Sequence, residues 1–266
     1  MAGAAALAVP WTHRGVRMAG HSKWKQIKRK KAVTDAKRGA VFTKVIREIT
    51  IAARQGGGDA GGNARLRTAI EAAKAENMPL DNIERAIKKG TGELEGVQYE
   101  EVTYEGYGPG GAALLIEATT DNANRTVAEI RFVFSRNGGN LGAANSVAWM
   151  FDRKAVITVD ATKADEDATL DAALDAGAED VTRDGDVLVI TAPASQLHAV
   201  QDRLRIRKIP IQEAEIAMLP RSSVKIEGKD AQNLLRLIEA LEEMDDVAKV
   251  HSNFDIDAEA MATVTG

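Results

Sequence analysis

Two properties of this chain change together near residue 92, and the coincidence limits what it can fold into more than any other feature. Up to that point apolar residues recur at helical spacing; from Val97 onward strand-like and helix-like runs alternate. The charge changes sign at the same place. Residues 1–90 carry 19 Lys and Arg against 7 Asp and Glu, a net of +12, whereas residues 91–266 carry 16 against 32, a net of −16. The overall charge of −4 conceals this division. A basic helical part joined to an acidic part of mixed strands and helices is the organisation it predicts, and the basic part suits a polyanionic partner. The other reading of the basic part is a solvated helical surface with no such partner.

With 266 residues the chain has room for two or three domains at about 150 residues each or fewer. Apolar residues at 44% and charged residues at 28% fit a globular protein. No apolar run approaches the roughly 20 residues that cross a bilayer, so no membrane partner is expected. The sequence has no cysteine, which removes disulfides, thiol catalysis, zinc knuckles and iron–sulfur clusters and fits a cytoplasmic location. The four histidines, His13, His21, His198 and His251, are far apart and none stands in H-E-x-x-H, so no metal site is expected. No Ser–His–Asp set follows from spacing. An enzyme therefore has no positive support: no catalytic residue, cofactor or small-molecule substrate is expected.

Residues 1–17 are Ala-rich and free of acids, with Pro10 interrupting a short apolar run. They loosely resemble a transit peptide, but MAG at 1–3 recurs at 18–20, and the favoured expectation is a start at Met18, the preceding 17 residues being a disordered extension. Residues 20–31, GHSKWKQIKRKK, bring together His21, Lys23, Lys25, Lys28, Arg29, Lys30 and Lys31, interrupted by Trp24 and Ile27. A long helix is expected from Thr34, a plausible N-cap, to the glycines at 56–58. At 100° per residue Val41, Val45, Ile49 and Ala52 share one side, and Lys37, Lys44, Arg47 and Arg54 lie opposite; Arg38 falls nearer the apolar side. Shorter helices follow at about 63–77 and 81–89.

Lysines and arginines in such a stripe hold phosphates, and each contact releases counterions. The candidate nucleic-acid-binding residues are His21, Lys23, Trp24, Lys25, Lys28, Arg29, Lys30, Lys31, Lys37, Arg38, Lys44 and Arg47. Trp24 could stack on an unpaired base or pack between helices. No helix-turn-helix signature and no Asn/Gln/Arg set for base edges stands out, which weakens sequence-specific reading of a duplex. Weaker candidates are Tyr107, in the loop Gly106–Gly111, and Asn122 and Arg125; turn chemistry explains these equally simply.

In the acidic part, strands are expected at 97–104 and 112–119, a helix at 124–136 and a strand at 147–151. A βαββαβ unit then spans 155–218, the split-βαβ or ferredoxin-like pattern, and a strand, helix and strand follow at 223–227, 230–243 and 247–251. Neither 97–151 nor the last three elements can bury a core alone, so they are expected to fold together around the inserted unit. GYGPGG at 106–111 satisfies G-x-G-x-x-G, but a strand-like run follows where a dinucleotide site needs a helix; it reads as a hairpin loop. Glu242, Glu243, Asp245 and Asp246 read as a solvated helix end.

Several stretches taken together resemble the YebC family: MAGHSKW at 18–24, DAKRG at 35–39, FTKVIREI at 42–49, GGGD at 56–59, NARLRTAIEAAKAENMP at 63–79, IERAIKKG at 83–90, YEGYGPGG at 104–111, NRTVAEIR at 124–131, GGNLG at 138–142 and ALDAGAED at 173–180. The resemblance runs from about Met18 to the C-terminus. It implies an α+β protein of three domains: a basic helical domain over 18–92, an α+β domain from 97–152 plus 222–258, and a ferredoxin-like domain over 153–220 inserted in it. Members of that family are described as probable DNA-binding transcriptional regulators. The family also includes a mitochondrial translational activator, and bacterial members resemble ribosome-associated factors that ease synthesis of proline-rich stretches. The resemblance thus implies a regulator of gene expression whose partner is duplex DNA or ribosomal RNA, with the ribosome itself as a further candidate partner and with His21, Ser22 and Trp24 at its leading motif.

Overall fold

The computed structural model describes residues 35–257, with side chains from Gly39 onward. The expectations for residues 1–34, including the extension, the Thr34 cap and the basic run at 20–31, lie outside the described residues, as do the side chains of Lys37 and Arg38. The chain divides into two compact units. Ala155–Ala214 form one, and the described residues on either side of that segment form the other.

In the larger unit three helices come first: α1 (Asp35–Gly56), α2 (Ala64–Ala75) and α3 (Leu80–Thr91). Their apolar stripes meet in one core, with Ile49, Ala52 and Ala53 of α1 against Leu66, Ala69 and Ala73 of α2 and Ile83 and Ala86 of α3. Small residues let α1 and α3 approach closely. A Cβ on Gly90 would press on the Thr50 carbonyl oxygen and lie 2.7 Å from the Ala53 Cβ, so only glycine fits there. Asn63 joins α1 to α2. Its side chain accepts from the Leu66 N–H at 3.0 Å, as an N-cap does, and donates to the carbonyls of Ala52 and Gly57 at 2.7 and 2.9 Å.

From residue 100 the order is β1 (Glu100–Tyr107), β2 (Ala113–Thr120), α4 (Ala123–Arg136), β3 (Asn140–Leu141), β4 (Phe151–Asp160), α5 (Glu166–Asp175), β5 (Asp180–Asp184), β6 (Val187–Pro193), α6 (Leu197–Ile206), β7 (Ile211–Pro220), β8 (Val224–Lys225), α7 (Gly228–Glu243), β9 (Val247–Ser252) and β10 (Phe254–Asp255). The larger unit holds a sheet in the order β3-β1-β2-β9, all antiparallel. Side-chain alternation sends Leu114, Ile116 and Val250 to one face, where Ile130 and Phe134 of α4 and Leu234, Leu237 and Ile238 of α7 cover them. The opposite face carries Ala113 and Leu115, which meet Val147 and Phe151. Strands β8 and β10 form a short parallel pair.

The loop Gly106–Gly111 joins the antiparallel strands β1 and β2. Its glycines answer to packing. A Cβ on Gly106 would lie 2.7 Å from Phe134, and one on Gly108 2.6 Å from Leu234, so the loop closes under the two helices.

The smaller unit follows the order of its elements. Strands β4 and β7, which extend past its limits at one end, and β5 and β6 line up as β5-β6-β4-β7, the ferredoxin-like arrangement, with α5 and α6 between the strands in sequence. Asp165 caps α5 by accepting from the Ala168 N–H at 2.8 Å.

One expected strand is absent. Residues 147–151 do not form a strand: Ala148–Met150 make a single 3-10 turn, and β4 begins at Phe151. The amides of Val147 and Ala148 are held by the Glu105 carboxylate at 2.7 and 2.8 Å, so they are not free to join a ladder.

Candidate nucleic-acid interface

The amphipathic reading of α1 identifies its two faces, but its polar face is not an open basic stripe. Arg47 is held inside the protein, its side chain 13% exposed. Its Nη1 donates to Asp246 Oδ1 at 2.6 Å, to the Asp245 carbonyl at 2.8 Å and to the Thr119 carbonyl at 3.0 Å. The guanidinium also stands 5.3 Å from the centre of the Tyr99 ring. Lys44, one turn earlier, donates from Nζ to the Glu242 carbonyl, and Arg54 donates to the Tyr99 carbonyl at 3.0 Å. Lys44 and Arg47, both expected to hold phosphate, thus have partners within the chain. The physical reason is the acidic part itself, whose carboxylates and carbonyls reach these cations first.

Asp246 is the centre of this seam. It is 5% exposed, which corrects its reading as part of a solvated helix end. Besides Arg47 it accepts from Arg125 Nη2 at 2.7 Å, Thr126 Oγ1 at 2.6 Å and Thr120 Oγ1 at 3.1 Å. Burial alone would raise its carboxyl, but the hydrogen bonds from Thr126, Arg125, Arg47 and Thr120 bring it down to about 2. A second contact lies nearby. Arg65 pairs with Glu48 at 2.8 Å and with Glu101 at 2.6 Å, so α1, α2 and β1 share one guanidinium. The hydrogen bond from Arg65 keeps Glu101 below its ordinary range.

The three weaker candidates also have structural duties. Asn122 caps α4, accepting from the Arg125 N–H at 3.1 Å. Arg125 bridges Asp121 at 2.8 Å and Asp246 at 2.7 Å. Tyr107 ends β1, partly exposed, with its hydroxyl donating to the Ser146 carbonyl at 3.0 Å. The structure brings Lys44, Arg47 and Arg125 to one seam and leaves Tyr107 apart from it. His21, Lys23, Trp24, Lys25, Lys28, Arg29, Lys30 and Lys31 lie outside the described residues, and for Lys37 and Arg38 only the backbone, within α1, is described.

The open charge of the described bundle is elsewhere. Lys74 on α2 and Arg85, Lys88 and Lys89 on α3 are exposed and carry no ion pair among the described residues. The spacing of Arg85, Lys88 and Lys89 at i, i+3 and i+4 puts them on neighbouring turns of one helix, a signal the sequence held but that the larger cluster at 20–31 overshadowed. Among the described residues no group of three acidic, histidine or cysteine side chains could hold a metal, and no helix is long and apolar enough to cross a membrane.

The chain is 60% identical over 245 residues to a "Probable transcriptional regulatory protein" of Gemmatimonas aurantiaca, covering 92% of this chain and 99% of that protein. It is 54% identical over 239 residues to a protein of the same description from Desulforapulum autotrophicum, covering 90% of this chain and 97% of the other. Among solved structures it is similar to a conserved hypothetical protein from Aquifex aeolicus, with 51% identity and a TM-score of 0.81, over 88% of this chain and 97% of that one. The model of the TACO1/YebC N-terminal domain matches residues 22–93, and that of the TACO1/YebC second and third domain matches residues 99–254. With both models matched in order along one α+β chain, this protein belongs to the TACO1/YebC family.

Proposed function

We propose that this chain is a non-enzymatic, nucleic-acid-binding regulator of gene expression, acting in the cytoplasm through its basic N-terminal part. The observation that carries the reading is the run from 18 to 34, which holds His21 and six Lys and Arg without one acidic residue. Exposed Lys74, Arg85, Lys88 and Lys89 extend positive charge across the bundle. Phosphate contacts of this kind position a polyanion without reading its sequence. The names of the relatives agree with a regulator.

Two partners fit that chemistry, duplex DNA and ribosomal RNA. One observation favours RNA. Lys44 and Arg47 are bound to the acidic part, so α1 does not present the continuous basic face that lies along a duplex groove. The test is co-sedimentation of residues 18–266 with purified ribosomes at near-physiological salt, with excess duplex DNA as competitor. Retention on the ribosome supports the RNA partner. Removal by a modest excess of duplex supports DNA. Failure to bind either polyanion overturns the reading.

A further inference from the structure

Glu105 lies inside strand β1, and its residue is only 6% exposed, yet it makes no ion pair among the described residues. Its carboxylate accepts three backbone N–H groups of the loop after β3: Asn145 at 2.7 Å, Val147 at 2.7 Å and Ala148 at 2.8 Å. Burial alone would raise this carboxyl; the loop amides hold it below the usual range instead, so it is an anion at neutral pH. Asn145 stands at φ 65°, in the left-handed region, and the Gly142 N–H donates to the Glu105 carbonyl at 2.7 Å. A buried charge thus fixes the path of residues 142–148.

The loop held in this way displays Trp149, which is 63% exposed. Its Nε1 donates to the Ser146 carbonyl at 3.2 Å, the same oxygen that accepts from the Tyr107 hydroxyl at 3.0 Å. Both rings therefore turn their polar tips onto one atom and leave ring surface to solvent. We infer that Trp149 and Tyr107 form a stacking platform for an unpaired base of single-stranded RNA.

This inference rests on the nucleic-acid reading above and adds to it a second, sequence-distant contact. The chemistry favours a base over a peptide. The indole N–H and the phenol O–H are already spent on Ser146, so the platform has no donors for peptide carbonyls, but its ring faces need none to stack. The nearby acids do not repel a phosphate strongly. Glu105 is buried under backbone N–H groups, and Asp152 is paired with Arg221 at 2.7 Å. A duplex keeps its bases stacked on one another, so the platform selects single strands.

The experiment compares the full chain with Trp149→Ala and Trp149→Phe, using a mixed-sequence single-stranded RNA of about ten nucleotides and its duplex. Because Trp149 is exposed, the variants fold, and unchanged melting confirms it. The expected result is a loss of about tenfold in single-strand affinity for Trp149→Ala, near-complete recovery with Trp149→Phe, and unchanged duplex affinity. Quenching of tryptophan fluorescence by the single strand should fall in Trp149→Phe, although Trp11 and Trp24 remain. Equal single-strand affinity in wild type and Trp149→Ala overturns the platform and leaves the basic-arm reading standing. Equal losses on single strand and duplex also overturn it. If the wild-type chain binds neither RNA, both readings fail together.

Discussion

Asp246 and Glu105 are both acids buried to within a few per cent of full coverage, and they are put to opposite uses. Asp246 gathers side chains from two separate regions, Arg47 of α1 and Arg125 of α4, with Thr120 and Thr126 between them. Glu105 pairs with no side-chain cation among the described residues and binds the backbone of a single loop. The first arrangement closes a seam and consumes positive charge that would otherwise face solvent. The second holds a loop so that two rings stay exposed. A buried carboxylate that neutralises cations reads as structure, whereas one that organises an exposed surface reads as support for a contact.

The sharpest way to break this comparison is to remove Asp246. Asp246→Ala leaves the Arg47 guanidinium in the seam without its carboxylate, and a buried pair broken on one side costs about 3–5 kcal/mol. Denaturant unfolding should show that loss, and a change below about 1 kcal/mol would make the seam incidental.

Glu105→Gln should cost less, about 2 kcal/mol, because the amide oxygen can still accept one or two of the loop N–H groups. Its signature is local: amide exchange at Asn145, Val147 and Ala148 accelerates while α1 stays protected. Uniform acceleration would contradict the separate roles.

Acid sharpens the comparison further. The Asp246 carboxyl goes from an ordinary 3.8 to about 2 on folding, so its contribution is fully present above pH 4 and is lost as pH falls from about 4 to 2. A shift of that size is worth about 2 kcal/mol. Asp246→Asn should lose most of this acid dependence; an unchanged profile would assign it to other groups. The smallest effect belongs to Trp149→Ala, which should change stability by less than about 0.5 kcal/mol, since the ring is mostly in solvent. A larger loss would show that Trp149 is packed and not displayed.

The helices and the ferredoxin-like order were legible because each rests on a local rule. Ile83 and Ile87 share one face of α3, and β4 through β7 alternate with α5 and α6 in a recognised order. What periodicity could not say was what covers each face. It placed Lys44 and Arg47 opposite the α1 core correctly, but their partners, Glu242 and Asp246, lie about two hundred residues away, and no local pattern points to them. Asp246 was hidden in a run of acids that resembles a solvated helix end. The segment Val147–Phe151 has the apolar look of a strand, and only Glu105, far upstream, turns it into a displayed loop. Such long-range polar contacts decide which charges remain open for function.

The central claim is that polyanion binding belongs to the basic run before α1 and not to Lys44 and Arg47 of α1. The most direct measurement is the salt dependence of affinity for a short nucleic acid, compared among wild type, Lys28/Arg29/Lys30/Lys31→Glu and Arg47→Gln. The account predicts that the quadruple variant loses the steep dependence, by about 3.6 units of slope on a duplex if its four residues each hold a phosphate. Arg47→Gln should keep the wild-type slope while melting earlier. A quadruple variant with the wild-type slope, or an Arg47→Gln variant that loses it, would contradict the account.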